Sequence, residues 1–189
     1  LISLLTAAKE MQEPVVVHVV TKKGCGYTPA EEKPSAELPD TLPPRYAVFY
    51  GRIGEEKGIR ILQKIWEQLP DIPLVVMGGG PLADDFAEWA QDKPQVHNLG
   101  YTQHELCLSI VQGGEFVVFP SIWYEGCSMV EIEAQSLGKP LIATDLGFSV
   151  EAIEEGYNGC KVPLGDIDAF VAKIRQLWEQ PALCRQMGE

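Results

Sequence analysis

The feature of this sequence that most constrains its fold is a series of short apolar runs separated by segments with helical periodicity. These runs are the predicted strands and span residues 47–50, 74–77, 96–99, 116–119, 141–143 and 159–162, of which 96–99 and 159–162 also contain polar residues. The helical segments span residues 59–69, 82–90, 105–111, 129–137, a short stretch near Val150, and 169–178. Apolar strands that alternate with helices are typical of a parallel sheet covered on both faces. We therefore predict an α/β fold, a Rossmann-like parallel sheet sandwiched by helices.

The first 45 residues do not share this repeat. Residues 4–11 favour a helix and residues 15–20 favour a strand, but neither joins smoothly to the apolar run at 47–50. Five of the 14 prolines lie between Pro29 and Pro44, among charged residues. This composition predicts an extended, exposed linker.

The acidic composition limits the classes of ligand that the chain can hold. Fifteen Lys and Arg against 27 Asp and Glu give a formal net charge of −12. This charge repels nucleic acids and anionic lipids, so we expect no nucleic-acid partner, and an anionic ligand must be held by local cations and helix N-termini. The five cysteines lack metal or disulfide spacing, and no apolar run approaches the roughly 20 residues of a membrane span. Together these features predict reduced thiols in a cytoplasmic protein.

Because ligands of such sheets bind at the carboxyl ends of the strands, the loops after the apolar runs are the candidate sites. The first loop, residues 51–58, contains two cations. Gly51 lets the backbone approach a ligand, and Arg52 and Lys57 place positive charge before the next helix. In an acidic protein this pair suits a diphosphate, and the alternative is a surface turn with solvated charges.

The second loop, residues 78–81, reads Gly-Gly-Gly-Pro. It matches a dinucleotide-binding fingerprint only weakly, because Asn98 and Leu99 stand where that fingerprint places an acidic residue. A tight turn that admits a ligand near Gly80, or that simply closes onto the next helix, is the better interpretation.

The loop after the fourth run is the most informative. Residues 126–129 are small or apolar and open a helix, whose free N–H groups can bind an anion. Glu125 and Glu133 lie at most about 12 Å apart along the helix axis, comparable to the spacing of hexose and ribose in a nucleotide sugar. A carboxylate accepts hydrogen bonds from two vicinal hydroxyls, which suits both sugars. The alternative is a Glu-rich helix with a solvated face.

Three other features have ordinary structural explanations. The amides of residues 144–147 can face the same cleft, but a strand-to-helix turn explains this segment equally. Asp166 and Asp168 spell a D-x-D pattern that can hold Mn²⁺ or Mg²⁺, yet Asp166 follows Gly165 at a helix start and is predicted to be an N-cap. The three histidines, His18, His97 and His104, have no ligand spacing, so we predict no metal site.

Taken in order, these segments resemble the group 1 (family 4) glycosyltransferases of GT-B fold, over about residues 46–178. The matching pieces are Gly51-Arg52 with Glu56-Lys57-Gly58, residues 78–81, residues 98–100, Pro120-Ser121, Tyr124-Glu125-Gly126, Glu133-Ala134, Gly138-Lys139-Pro140, and Gly159 with Val162-Pro163. The ordered set, with its E-x7-E pair, is the specific part of the likeness.

The resemblance implies a role for each matching residue. Arg52 and Lys57 would hold the donor diphosphate and stabilise it as the leaving group. Glu133 would bind the ribose hydroxyls, and Glu125 would contact the donor sugar as a catalytic group. The other donor-binding positions would be Gly51, Gly80, Gly126, Cys127, Ser128 and Met129. The family often has Phe-Gly-Leu where this chain has Cys127 to Met129, which leaves the identity of the donor open.

The resemblance also implies the reaction and the organisation of the chain. A hexosyl group would pass from a nucleoside-diphosphate sugar to an acceptor glycan, lipid or small molecule with retention, and without a metal or other cofactor. Residues 46–189 would be the nucleotide-sugar-binding domain, and residues 1–45 a remnant of the acceptor domain with the linker. The chain alone is then expected to be inactive or incomplete, and a separate acceptor-domain chain is a possible partner.

Two other classes of function remain as alternatives. One is a relative of the sugar-nucleotide epimerases or glycogen phosphorylases, which share the architecture. The other is a non-catalytic nucleotide-sugar-binding module that acts through a partner chain.

Overall fold

The computed structural model describes residues 36–188, which form one sheet with helices on both faces. The strands are β1 (Ala47–Tyr50), β2 (Leu74–Met77), β3 (Val96–Gly100), β4 (Val117–Phe119), β5 (Leu141–Thr144) and β6 (Gly159–Val162). The helices are α1 (Ile59–Trp66), α2 (Ala83–Ala90), α3 (His104–Gly113), α4 (Met129–Ser136), α5 (Phe148–Ala152), α6 (Ile167–Glu179) and α7 (Pro181–Gly188), with a 3₁₀ turn at Glu55–Lys57.

The six strands are all parallel, in the order β3-β2-β1-β4-β5-β6. β1 pairs with β2 in the register Ala47↔Leu74 and with β4 through Val48↔Val117. The chain first builds outward from β1 on one side and then returns to build from β4 on the other. The junction of β1 and β4 is therefore the topological switch point, where ligands of such sheets bind. The predicted fold class is confirmed.

The apolar runs are explained by burial on both faces of the sheet. In β1, Ala47 and Phe49 belong to one core cluster, whereas Val48 and Tyr50 belong to the cluster on the opposite face. All four side chains are buried. A strand with no solvated face has no position for a polar residue, so its sequence loses the period-two alternation of a half-exposed strand.

In helix α1, the helical periodicity of apolar residues corresponds to a buried stripe. Its residues Ile59, Leu62, Ile65 and Trp66 are buried against the sheet. This spacing places them on one stripe of a 3.6-residue helix. The indole nitrogen of Trp66 donates a hydrogen bond to the carbonyl of Ile72, at 2.9 Å, which anchors the turn that leads into β2.

Most element boundaries agree with the sequence predictions to within one to three residues. Asp166 is an N-cap as predicted, and its carboxylate accepts a hydrogen bond from the amide of Ala169 at 2.9 Å. The helix it caps is not the last one, because α7 follows it. The predicted helix at 4–11 and strand at 15–20 lie outside the described residues.

The described part of the predicted linker, residues 36–45, contains no helix or strand. Arg45 attaches its end to the domain, since its guanidinium bonds to Glu115 at 2.8 Å and to the Trp178 carbonyl at 3.1 Å. Within residues 36–188, no helix is both long enough and apolar enough to cross a bilayer.

Candidate functional site

The switch point brings the loop after β1 against the loop after β4. The amide of Ile122 and the hydroxyl of Ser121 both donate to the carbonyl oxygen of Glu56, at 3.0 and 3.1 Å. Gly58 has a φ of 72°, and a Cβ there would overlap the carbonyl oxygen of Pro120. Only glycine permits this contact, so the two loops can share one surface.

Lys57 and Glu125 form an ion pair across this junction. The ammonium of Lys57 donates to Oε1 of Glu125, and both side chains are mostly buried. The same ammonium lies 5.5 Å from the ring centroid of Phe119, at the end of β4. A charge so enclosed is screened less by salt than a surface charge. The pair joins two residues that the sequence analysis assigned separately to the diphosphate and to the donor sugar.

Arg52, the other predicted cation, pairs within its own loop. Its Nε lies 3.0 Å from Oε1 of Glu56, and its side chain is 64% exposed. Both cations that the sequence analysis assigned to an anionic ligand are therefore paired with carboxylates in this structure. An incoming anion must share these cations or displace their partners.

The loop after β5 supports Glu125 from the other side. The amide of Phe148 donates to the carbonyl oxygen of Glu125 at 2.8 Å. Gly147, with a φ of 58°, brings the backbone so close that a Cβ there would lie 2.8 Å from the nitrogen and oxygen of Glu125. This amide is used to hold the Glu125 backbone, so the loop acts as a support.

Helix α4 begins at the same junction. Ser128 is its N-cap, and the buried hydroxyl accepts from the amide of Glu131 at 3.4 Å. Gly126 and Cys127 are exposed, as is Met129, so the opening of the helix faces solvent. The hydroxyl of Tyr50 donates to the carbonyl of Val130 at 2.8 Å, which fixes the helix start to the end of β1.

The two glutamates within α4 are both buried, which contradicts the alternative of a Glu-rich solvated face. Glu133 faces α3, where its Oε1 lies 3.6 Å from Nε2 of His104. Glu131 is fully buried on another side of α4. Burial raises the pKa of Glu131, and the nearby hydroxyls of Ser149 and Ser128 oppose that rise. Neither carboxylate oxygen of Glu131 has a hydrogen-bond partner among the described residues.

A cavity of about 460 Å³ lies beside the junction, at the carboxyl ends of β1, β2 and β3. Its size falls within the range of small-molecule sites. It is lined by Tyr50, Gly51, Arg52, Met77, Gly78, Gly79, Tyr101, Thr102, His104 and Cys107. Tyr101 is 85% exposed at its mouth.

Among these lining residues, the sequence predicts ligand binding for Gly51 and Arg52 but not for Tyr101, Thr102 and His104. Their position directly after the third apolar run was the signal that could have found them. Gly80, a predicted donor contact, is not among the lining residues, and a Cβ there would lie 2.9 Å from the backbone nitrogen of Ile53.

The acidic groups of the domain do not gather into a metal-ligand set. Within residues 36–188, no group of three or more His, Cys, Asp or Glu side chains is placed to hold a metal ion. The four cysteines in this part of the chain are free, and Cys127 is the exposed one among them.

Sequence and structure comparisons give relatives for this architecture. A profile of the family described as glycosyl transferases group 1 matches residues 31–189. D-rhamnosyltransferase WbpZ of Pseudomonas aeruginosa is 33% identical over 153 residues, which are 79% of this chain and 40% of that protein. Thus the matched part of the chain spans well under half of this curated relative.

Solved structures agree with the sequence matches. TarM superimposes with a TM-score of 0.69 at 26% identity, covering 81% of this chain and 32% of TarM. Another TarM structure, from S. aureus, is a complex that includes UDP. Sucrose-phosphate synthase from Thermosynechococcus elongatus gives a TM-score of 0.69 at 27% identity, covering 78% of this chain and 40% of that one.

Proposed function

Because this chain belongs to the group 1 glycosyltransferases, we propose that residues 46–189 are the donor half of a retaining enzyme. This half binds a nucleoside-diphosphate sugar, from which a hexosyl group passes to an acceptor. The observation that carries the proposal is the Lys57–Glu125 ion pair at the switch point, between the cavity and the start of α4. The pair joins the cation proposed for the diphosphate to the carboxylate proposed for the sugar.

The donor is proposed to lie along the carboxyl edge of the sheet. The nucleoside occupies the cavity after β1, β2 and β3, with its ribose near Glu133. The diphosphate lies between Arg52 and Lys57, and the hexosyl group lies over the exposed start of α4, at residues 126–129. The positive end of that helix and the two cations then face the most negative part of the ligand.

The ion pair suggests how Lys57 acts. In this structure its ammonium is held by Glu125, at the junction where we propose that the diphosphate lies. With a donor in place, we propose that the ammonium contacts the diphosphate and that the Glu125 carboxylate accepts hydrogen bonds from the hexose hydroxyls. As the bond to the hexose breaks, charge develops on the departing diphosphate, and a fixed cation stabilises it there. This chemistry needs no metal or other cofactor.

A non-catalytic module is the second candidate. The matched residues span about 40% of WbpZ, so most of that protein falls outside the region of likeness. In that case the domain binds a nucleotide sugar and acts through a partner chain.

Titration calorimetry with UDP, GDP and ADP and their glucose or mannose conjugates tests the donor site. We expect one base to bind, and Lys57→Gln to weaken that binding tenfold or more, since a charged hydrogen bond contributes about 1.5–3 kcal/mol. Arg52→Ala should weaken it in the same direction. Lys64→Gln, on the exposed side of α1, is the matched control and should leave affinity unchanged.

The same titration in EDTA tests the independence from metals, and affinity should be retained. Equal affinity of Lys57→Gln, Arg52→Ala and the parent chain would contradict the assignment of the diphosphate. Binding that requires Mn²⁺ would contradict the independence from metals and would make Asp166 and Asp168 candidate metal ligands.

A further inference from the structure

His104 is the residue of α3 that reaches the candidate ribose carboxylate. It is the first residue of that helix, directly after the loop that follows β3. Its Nε2 lies 3.6 Å from Oε1 of Glu133, on the second turn of α4. The imidazole is 53% exposed and lines the cavity, whereas the Glu133 side chain is 7% exposed. The pair thus has one exposed and one enclosed member.

The charge of Glu133 also acts on a second residue of α3. Cys107 lies one turn after His104 and also lines the cavity. Burial and then the charge of Glu133 raise the pKa of the Cys107 thiol to about 12. This effect and the 3.6 Å approach of His104 both indicate that the Glu133 carboxylate faces α3.

An enclosed carboxylate needs partners, because it has lost most of its hydrogen bonds to water. The His104 imidazole, with Nε2 3.6 Å from Oε1, is a polar group that faces the Glu133 carboxylate. It also comes from a different helix, so it restricts the rotamer of the glutamate in a way that its own helix cannot. A carboxylate held in this manner keeps its remaining lone pairs in a fixed direction, which is what recognition of two vicinal hydroxyls requires.

We propose that His104 is a positioning residue that orients Glu133 for the 2′- and 3′-hydroxyls of the nucleotide ribose, and so makes the cavity selective for ribonucleotides over deoxyribonucleotides. This inference rests on the proposed donor site. It adds a specific residue and a specific discrimination to it.

The test compares the affinities of UDP and 2′-deoxy-UDP by titration calorimetry, with GDP and 2′-deoxy-GDP as a second pair. The parent chain should bind the ribonucleotide about tenfold more tightly, as expected for one hydrogen bond to a charged group. In His104→Ala this ratio should fall towards one, through loss of ribonucleotide affinity alone. His104→Gln keeps a donor group and should restore part of the ratio.

Two further variants separate positioning from other roles. Glu105→Ala changes the exposed neighbour in the same helix turn and should keep the full ratio. Glu133→Gln should itself abolish the ratio, and adding His104→Ala to it should cause no further loss, because the histidine acts through the glutamate.

Different failures have different meanings. If the parent chain discriminates and His104→Ala keeps the ratio, His104 does not position Glu133 and the inference is wrong. Equal loss for both nucleotides in His104→Ala also overturns it, since that result indicates contact with the base or diphosphate. If the parent chain binds no nucleotide, the proposed function itself fails, and this inference fails with it.

Discussion

At the scale of single residues, Glu131 is the most unusual group near the site. Its carboxyl is fully buried in α4, and its oxygens lack hydrogen-bond partners within residues 36–188. Burial raises its pKa, and the charge of Glu125 adds to that rise, whereas Ser149, Ser128 and Lys57 oppose it. The folded protein therefore favours the neutral acid more than the unfolded chain does.

This difference predicts a pH-dependent stability. Because the pKa is higher in the folded state, the contribution of Glu131 to stability is fully present below its unfolded pKa. It is lost as the pH rises through the folded pKa. Glu131→Gln has no titrating group, so it should stabilise the protein relative to the parent chain at pH 8 more than at pH 5. Each unit of pKa difference is about 1.4 kcal/mol.

Urea unfolding at the two pH values measures this effect. Glu88→Gln, which removes an exposed carboxylate from α2, is the control and should show no such gain at pH 8. A Glu131→Gln variant that is less stable at pH 8 than at pH 5, relative to the parent chain, would show that Glu131 is ionised and usefully paired.

For single residues, the sequence predicted which loops lie at the same edge of the sheet. It did not predict the ion pairs that their side chains form. The order of the loops placed Lys57 and Glu125 at the same edge, because parallel strands deliver their carboxyl ends together. Their ion pair, and that of Arg52 with Glu56, depend on side-chain directions that spacing alone does not determine. The burial of Glu131 was missed for the same reason. Helical periodicity puts Glu131 and Glu133 on different faces of α4, but it does not show which face is buried.

At the scale of elements, three loops form the site by touching through their backbones. The loop after β1 meets the loop after β4 at Gly58, and the loop after β5 meets it at Gly147. The second contact holds Glu125, whose carbonyl also accepts from the Phe148 amide. A disturbance of α5 should therefore reach the donor sugar through the Glu125 backbone.

Gly147→Ala tests this transmission, with Gly156→Ala as the matched control. Both glycines have positive φ, at 58° and 78°, so each alanine should lower stability by at least about 1 kcal/mol, and Gly147→Ala should lower it more because its Cβ would meet the Glu125 backbone. Only at Gly147 would the new Cβ meet another loop, since nothing lies within 4 Å of a Cβ at Gly156. Gly147→Ala should weaken binding of a nucleotide sugar more than that of the bare nucleotide, whereas Gly156→Ala should change neither. Titration calorimetry with the nucleotide sugar and the bare nucleotide measures these affinities. Equal losses of affinity in Gly147→Ala and Gly156→Ala would contradict the proposed coupling.

The predictions were reliable for helices that bury one stripe of side chains and for strands that are buried on both faces. All six strands were found, because four of the predicted runs are apolar throughout and the other two, in β3 and β6, continue the alternation of strands with helices. Helix α7 was missed, since only Cys184 and Met187 of its eight residues are buried, too few to show a period. Helix α6 begins at Ile167, two residues before the prediction, immediately after its Asp166 cap. Local hydrogen bonds such as this cap thus determine where a helix begins, which hydrophobic periodicity does not.

At the scale of the whole domain, the candidate site lies open along the carboxyl edge of the sheet. The carboxyl edge of the sheet holds the cavity and the ion pair, but its outer side is exposed at Tyr101, Trp123, Tyr124 and Met129. Within residues 36–188, these side chains are open to water beside the proposed hexosyl position. Transfer, as opposed to binding, needs an acceptor held in line and water excluded.

We therefore predict that the 189-residue chain, expressed alone, binds its nucleotide sugar but transfers no glycosyl group, with slow hydrolysis of the donor as its highest activity. A radiolabelled donor, chosen from the calorimetric screen, distinguishes transfer from hydrolysis when products are separated over a broad panel of acceptors. Lys57→Gln serves as the control for hydrolysis at the site and should reduce it. Adding a candidate acceptor-domain protein should produce transfer if the two form one enzyme. Robust transfer by the chain alone would contradict the prediction, because residues 1–45 and the donor domain would then suffice to position an acceptor and exclude water.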